Sequence, residues 1–193
     1  NSDAFLASGA LASLVAVAER RTLAAAVGPR LLNPDGTLQR SAWPFPSAGR
    51  TLMEAVGMHI PLRRAGLIED LGTWGHSDER TVDYLIGACL LLRREALIEV
   101  GGFDEGFWLY GEEADLQRRL VARGYEIVFT PDAVTTHVGG ASSQVSEDRL
   151  YHRSLGQKRY LKKHGALWSW PVARAAGWVG RLLRRCWPAA LRT

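Results

Sequence analysis

The sequence contains little cysteine and no long uncharged run. Only Cys89 and Cys186 are present among 193 residues, and they lack the CxxC spacing of a zinc site. Nothing indicates a disulfide framework, so a reducing compartment is the default expectation. No run reaches 18 uncharged residues, which argues against a membrane-spanning helix.

Acidic residues are absent from the last part of the chain. From Arg149 onward there are eleven Lys or Arg and no Asp or Glu. The other 148 residues carry 13 basic and 20 acidic side chains, so the net charge of +4 describes neither part. Only the C-terminal part is therefore suited to an anionic partner.

Helical and strand patterns alternate along the chain, which predicts an α/β layered domain. The predicted helices are one capped by Ser8 that ends near Arg20 or Arg21, a short one in "EALIEV" stopped by Gly101 and Gly102, one from Glu112 to Arg123, and one from Glu147 to Lys163. The predicted strands are "LAAAVG", the long run "TVDYLIGACLLLRRE", and "YEIVFT" and "AVTTHV" separated by Pro131 and Asp132.

Two further segments connect these elements. Residues Asn33 to Gly36 read Asn-Pro-Asp-Gly and predict a turn, because proline fixes φ and glycine accepts a positive φ. Residues 43 to 80 show little periodicity and predict a long excursion with one short helix near Ser47 to Val56.

Acids and aromatics are concentrated in "GFDEGFWLYGEEADLQRRL", Gly102 to Leu120. Acids in the first turn of a helix complement its dipole, which would explain Glu112, Glu113 and Asp115 without any chemistry. However, the three acids point in different directions, so at least one should face the sheet. The aromatics between the acids would form a wall around a ligand.

Asp3 and His137 are two weaker candidates for a functional site. A single aspartate in a loop is usually a turn residue, and a single histidine on a strand is usually a packed or exposed one. Together with diphosphate oxygens, however, a carboxylate and an imidazole would suit Mg²⁺ or Mn²⁺.

The block from Asp83 to Ser143, "DYLIGACLLLRREALIEVGGFDEGFWLYGEEADLQRRLVARGYEIVFTPDAVTTHVGGASS", resembles part of a known family. It is similar to the second half of the GT-A catalytic domain of family 2 glycosyltransferases, in the rhamnosyltransferase-like branch. "NSDAFL" and "VGPRLLNPDGTLQ" extend the resemblance to residues 1–163. The resemblance implies a Rossmann-like mixed sheet flanked by helices. It also implies that a nucleotide-binding half is missing before Asn1, so that the chain is a fragment.

The resemblance assigns roles to individual residues. Asp3 lies at the position of a DxD-like motif, with Asn1 in place of its first acid, and His137 would complete the metal site. Glu112 and Glu113 match an acidic pair, usually Glu-Asp, whose second member is the catalytic base. The residues matched to donor sugar and acceptor are Asp83, Gly87, Ala88, Gly102, Phe103 and Asp104, with the aromatics Trp108 and Tyr110 beside them.

The implied function is an inverting, metal-dependent transfer of a sugar, with rhamnose as a candidate, from a nucleotide-diphosphate donor. The acceptor would be a cell-envelope glycan or a polyprenyl-linked precursor. Inversion needs one carboxylate as base and one cation at the leaving group. One alternative is a non-catalytic remnant that binds a carbohydrate, a lipid or a partner. The other is a metal-dependent phosphohydrolase, which would need a denser carboxylate set.

The segment from residue 164 to residue 193 predicts a basic amphipathic tail that contains four tryptophans. On a helical wheel, Arg174, Arg181 and Arg185 lie opposite an apolar stripe. Such a helix could lie in a membrane interface or pack on the domain, and the sequence leaves both open. Nucleic-acid binding has no motif behind it. The expected location is cytoplasmic, peripheral at the inner face of the cell membrane.

Overall fold

The computed structural model describes residues 1–47, 49–50, 74–139, 147–168 and 170–171, together with residues 53, 58, 62 and 175. The chain forms two compact units. The first comprises Asn1–Phe45 and Asp70–Arg153, and the second comprises Pro46–Glu69 and Ser154–Thr193. All the elements described below belong to the first unit, except that the last helix, Glu147–Lys163, belongs to the second unit from Ser154 onward.

A mixed sheet forms the centre of the first unit. Its strands are β1 (Ala4–Leu6), β2 (Ala24–Leu32), β3 (Leu38–Gln39), β5 (Arg80–Thr81), β7 (Leu91–Leu92) and β8 (Glu126–His137), while β4 (Ala42–Trp43) and β6 (Tyr84–Leu85) form a separate antiparallel pair. In the mixed sheet the order is β1-β8-β2-β3, with β5 beside β8 and β7 beside β2. The long strands β2 and β8 run parallel, and the other pairings are antiparallel. The predicted α/β class with a mixed sheet is confirmed.

The described helices are α1 (Ala10–Arg20), α2 (Arg94–Glu99), α3 (Glu112–Ala122) and α4 (Glu147–Lys163). The predicted cap at Ser8 is wrong, because α1 is preceded by Gly9 in the left-handed region and has no side-chain cap. The glycine stops are confirmed: Gly101, Gly102 and Gly124 all have positive φ where α2 and α3 end. The short helix predicted near Ser47 to Val56 lies mainly outside the described residues.

The predicted strand "TVDYLIGACLLLRRE" is wrong as a single element. It is divided into β5, β6 and β7, which pair with three different partners: β8, β4 and β2. The chain leaves the sheet at Asp83, whose carboxylate accepts a hydrogen bond from the N–H of Phe45 at 2.8 Å. The apolar run therefore serves three short pairings rather than one buried central strand.

The predicted break at Pro131 and Asp132 is also wrong, because β8 runs through both residues. The strand keeps its parallel pairing with β2, and the register shifts between Pro29 and Arg30. A bulge of this kind tolerates a proline that cannot donate to the ladder.

The core occupies both faces of the sheet because successive residues of a strand point to opposite sides. Ile127 and Phe129 pack with Leu116 and Leu120 of α3 on one face. On the other face, Val128 packs with a group from α1 and β2, namely Ala10, Leu14, Val17, Ala24 and Val27. The two helices thus hold the sheet between them, and α3 is anchored through its buried stripe.

Most of the predicted tail, from residue 172 to residue 193 apart from residue 175, lies outside the described residues. Across the described part of the chain, no helix combines the length and apolar character that crossing a membrane requires. The predicted domain boundary at residue 163 stays a prediction.

Candidate active site

The first turn of α3 carries the acidic pair Glu112 and Glu113 at a tightly shaped entry. The residue before the helix, Gly111, has φ 94°, and Tyr110 before it has φ 67°. A positive φ is uncommon for a bulky residue such as tyrosine and marks a constrained backbone. Two successive left-handed residues therefore turn the chain sharply into the helix where the acids begin.

The carboxyl group of Glu113 is unusual in its protonation. Burial and, next, the charge of Glu112 raise the pKa of Glu113 to about 7. The N–H of Gly111 donates to Oε2 of Glu113 at 3.2 Å and acts in the opposite direction, but more weakly. At neutral pH about half of such carboxyl groups are ionised. The ionised form can accept a proton, and a pKa near the working pH is the value that suits a general base.

Glu112 contributes a second polar atom at this place. Its Oε2 is buried and has no hydrogen-bond partner among the described residues. Buried oxygens are nearly always hydrogen-bonded, so an exception requires an explanation such as a ligand or water. This atom can accept from a hydroxyl donor, and protonated Glu113 is one such donor, since a side-chain hydrogen bond with Glu112 is among the causes that raise the pKa of Glu113.

The position of α3 relative to β6 is fixed by Gln117, a residue that no motif in the sequence marks. Its Oε1 accepts from the N–H of Leu85 at 2.8 Å, and its Nε2 donates to the carbonyl of Leu85 at 2.7 Å. The same Nε2 donates to the carbonyl of Glu113 at 3.0 Å. The contact brings Gly87 beside the acids, since a Cβ there would lie 3.8 Å from Cβ of Glu113.

Two other predicted residues of this segment are directed inward. One oxygen of Asp83 is used to hold the backbone of Phe45, and Ala88 is buried. Of the three residues predicted to face donor and acceptor here, Gly87 is the one that the described contacts place next to Glu113.

Arg119 anchors the start of the loop from Gly102 to Tyr110. Its guanidinium donates to the carbonyls of Val100 and Gly102 at 2.5 Å and 2.8 Å and to Oδ2 of Asp115 at 2.9 Å. Asp115 is completely buried. The expectation that at least one acid of the helix start faces inward is therefore confirmed, and it is Asp115.

The anchored loop presents aromatic side chains to solvent. Trp108 is 86% exposed and Phe103 is 46% exposed, whereas Phe107 is buried. Oδ1 of Asp104 accepts from the N–H of Gly106 at 2.9 Å and shapes the loop. A surface of exposed aromatics on a fixed backbone is suited to stacking against sugar rings or covering a lipid chain.

Asp3 and His137 lie side by side. Ala4 pairs with His137 across β1 and β8, and Oδ1 of Asp3 lies 3.4 Å from Nε2 of His137. The other ring nitrogen, Nδ1, lies 2.6 Å from Oε1 of Gln39. Gly139 leaves room for the ring, since a Cβ there would lie only 2.6 Å from Nδ1 of His137.

His137 is the last residue of β8, so this residue and the adjacent Asp3 lie at the carboxyl edge of the sheet. In α/β sheets, this edge is where ligands bind. No cluster of three or more His, Cys, Asp or Glu that could hold a metal occurs among the residues that the structure describes.

The family model described as glycosyltransferase like family 2 matches residues 1–153. The chain belongs to this family.

Two relatives carry informative names. An N-acetylglucosaminyl-diphospho-decaprenol L-rhamnosyltransferase, from two strains of Mycobacterium tuberculosis, is 38% identical over 180 residues, covering 89% of this chain and 57% of the relative. An O-antigen biosynthesis protein RfbC from Myxococcus xanthus is 36% identical over 135 residues, covering 68% of this chain and 10% of the relative. The chain thus spans little more than half of the mycobacterial relative.

Among solved structures, GalNAc-T7 with UDP, GalNAc and Mn²⁺ is similar to this chain. The TM-score is 0.44 and the identity is 17%, over 69% of this chain and 26% of that one.

Proposed function

We propose that this chain carries the base and the acceptor side of an inverting sugar transfer from a nucleotide-diphosphate donor. The observation that carries the proposal is the carboxyl group of Glu113, whose pKa is raised to about 7 at the start of α3. Such a group would take the proton from the acceptor hydroxyl as that oxygen attacks the anomeric carbon. The oxygen–anomeric carbon bond forms while the bond from that carbon to the diphosphate breaks.

Glu112 has a separate role in this proposal. When Glu113 is ionised, the buried Oε2 of Glu112 would accept a hydrogen bond from a second hydroxyl of the sugar and so orient the acceptor. Its charge also supports the raised pKa of Glu113. The exposed rings of Phe103 and Trp108 would cover the acceptor.

Asp3 and His137 fit a divalent cation. A carboxylate oxygen and an imidazole nitrogen at 3.4 Å offer two ligands, and Mg²⁺ or Mn²⁺ would complete its coordination with diphosphate oxygens and water. When bound, the cation would neutralise the charge that develops on the departing nucleoside diphosphate. Asp3 and His137 would hold it, and the backbone hydrogen bond from Val138 to the carbonyl of Asp3, 2.9 Å, keeps the two residues together.

The relatives narrow the choice of substrates. The name of the mycobacterial relative suggests L-rhamnose as the sugar and an N-acetylglucosaminyl-diphospho-polyprenol as the acceptor. A lipid-linked acceptor would place the protein at the inner face of the cell membrane. Contact through the basic tail is part of this proposal, and removing residues 165–193 should abolish flotation with anionic liposomes while the rest of the chain stays folded. Unchanged flotation would count against it.

Transfer of radiolabelled sugar tests the proposal. The product of the complete reading frame that contains residues 1–193 is supplied with nucleoside-diphosphate L-rhamnose and N-acetylglucosaminyl-diphospho-decaprenol. Glu113→Gln should lower kcat by a factor of about 10²–10⁴, the usual contribution of a positioned base. Glu95→Gln, an exposed control on α2, should transfer at the wild-type rate. Full activity of Glu113→Gln would refute the assignment of the base.

A further inference from the structure

A chain of side-chain hydrogen bonds leads from the turn after β2 to the ring of His137. Its members are, in order, Asp35, Thr37, Asn33, Gln39 and His137, and the successive distances are 2.6 Å, 2.9 Å, 2.9 Å and 2.6 Å. All but the last member belong to one tight turn and the short strand that follows it. The last step joins this turn to the carboxyl end of β8.

Asp35 fixes the direction of the first bonds in this chain. Hydrogen bonds from Thr37 hold the pKa of Asp35 below its ordinary value, so at neutral pH its carboxylate only accepts. The hydroxyl of Thr37 therefore donates to Asp35 and accepts from Nδ2 of Asn33. This leaves Oδ1 of Asn33 to accept from Nε2 of Gln39.

A second acceptor fixes the amide of Gln39 in the same orientation. Its Nε2 also lies 3.4 Å from the backbone carbonyl of His137, which can only accept. Oε1 of Gln39 must then be the atom that faces Nδ1 of His137, at 2.6 Å. Because an amide oxygen cannot donate, the proton of this bond lies on Nδ1.

The consequence appears at the other ring nitrogen. In a neutral imidazole with its proton on Nδ1, Nε2 carries a lone pair. Nε2 lies 3.4 Å from Oδ1 of Asp3, and that oxygen also carries lone pairs. Two atoms with lone pairs that face each other, with no proton between them, are arranged to bind a cation.

We propose that Gln39 is a positioning residue that keeps His137 as the Nδ1–H tautomer and leaves the Nε2 lone pair toward Asp3. This inference rests on the proposed cation site and names a residue that serves it. Metal-binding histidines usually donate their other ring N–H to a partner, and loss of that partner typically weakens metal affinity 10–100-fold. Here the partner is an amide whose orientation the turn determines.

Imidazole ¹⁵N chemical shifts of the 193-residue chain at pH 8 test the tautomer directly, with His137 assigned by its loss in His137→Gln. The wild-type ring should be in the Nδ1–H form. Gln39→Leu should shift it toward the Nε2–H form, because it removes the acceptor that faces Nδ1. An Nε2–H ring in the wild-type chain, or an unchanged tautomer in a folded Gln39→Leu, would overturn the proposal. The wild-type measurement decides even if the variant fails to fold.

Mn²⁺ affinity provides the second readout, measured by electron paramagnetic resonance with inorganic pyrophosphate present. Gln39→Leu should bind 10–100-fold more weakly than wild type. Gln157→Leu on α4 is the control and should match wild type. Equal affinity in Gln39→Leu would overturn the positioning role. If the wild-type chain showed the expected tautomer but bound no Mn²⁺, the proposed cation site would be contradicted and the tautomer assignment would still be supported.

Discussion

The side-chain amide of Gln117 is paired with both backbone polar groups of Leu85, at 2.8 Å and 2.7 Å. The pairing imitates one rung of a β-ladder and joins α3 to β6 where both are buried. Because Glu113 lies one helical turn before Gln117, the same pairing fixes the distance between the acidic pair and Gly87.

Replacing Gln117 should therefore destabilise the fold. In Gln117→Leu, the N–H and carbonyl of the buried Leu85 lose their partners, and leaving two such groups unsatisfied costs about 2–6 kcal/mol in total. Urea unfolding monitored by circular dichroism measures the change in free energy. Gln157→Leu is the matched control and should change stability by less than about 0.5 kcal/mol. A similar, small effect of both substitutions would contradict the structural role of Gln117.

The raised pKa of Glu113 predicts a specific pH dependence of stability. The pKa of Glu113 is about 7 in the folded chain and 4.5 in the unfolded chain, so protonation favours the folded state. This contribution is fully present below pH 4.5 and is lost as the pH rises to about 7. The shift corresponds to about 3 kcal/mol.

The comparison of wild type with Glu113→Gln isolates that contribution, since glutamine stays neutral. From pH 4.5 to pH 8 the variant should gain about 3 kcal/mol of unfolding free energy relative to wild type. Urea titrations at four pH values in this window provide the measurement. A difference between the two proteins that does not change with pH would show that Glu113 ionises normally.

Arg119 should be far more important for stability than Arg123, which lies four residues further on, directly after α3. Arg119→Met removes the charged partner of the buried Asp115 and the donors to two loop carbonyls, and breaking a buried pair costs about 3–5 kcal/mol. Arg123→Met loses only an exposed pair with Glu99 and should cost less than about 1 kcal/mol. Chemical denaturation of both variants tests the contrast, and equal losses would contradict it.

Gly139 should be required by the ring of His137. In Gly139→Ala the new methyl group would collide with Nδ1 of His137, so the ring must move away from Asp3 and Gln39. Mn²⁺ affinity should fall about 10-fold or more, because a metal-binding imidazole that loses its orientation binds the ion more weakly. Gly75→Ala is the control, because a Cβ there meets nothing within 4 Å. Equal Mn²⁺ binding by the two variants would argue against a site at Asp3 and His137.

Much of the architecture follows from local signals. The periodicity of α1 and α3, and the glycines after α2 and α3, predict where these helices lie and end, because helix face and stop signals are properties of the chain itself. The start of α3 at Glu112 also follows from the sequence, and with it the placement of both acids.

Other features depend on neighbours that the local sequence does not name. The apolar run that forms β5, β6 and β7 gives no indication that its parts pair with three separate strands. Pro131 is a local break signal, but the bulge opposite Pro29 accommodates it. Gln39 and Gln117 are ordinary polar residues by composition, and their roles arise only when distant backbone and imidazole atoms come within hydrogen-bond distance.

The pH dependence of kcat/KM for sugar transfer tests the central claim, that Glu113 is the base, most directly. For the product of the complete reading frame, kcat/KM should rise about tenfold per pH unit below about pH 7 and level off above it, since the ionised form of Glu113 is the active one. Glu113→Asp should keep measurable activity with a shifted midpoint, and Glu113→Gln should lose the ionisation and nearly all transfer. A wild-type profile that is flat from pH 5.5 to pH 8, or a Glu113→Gln variant with the wild-type profile, would contradict the account.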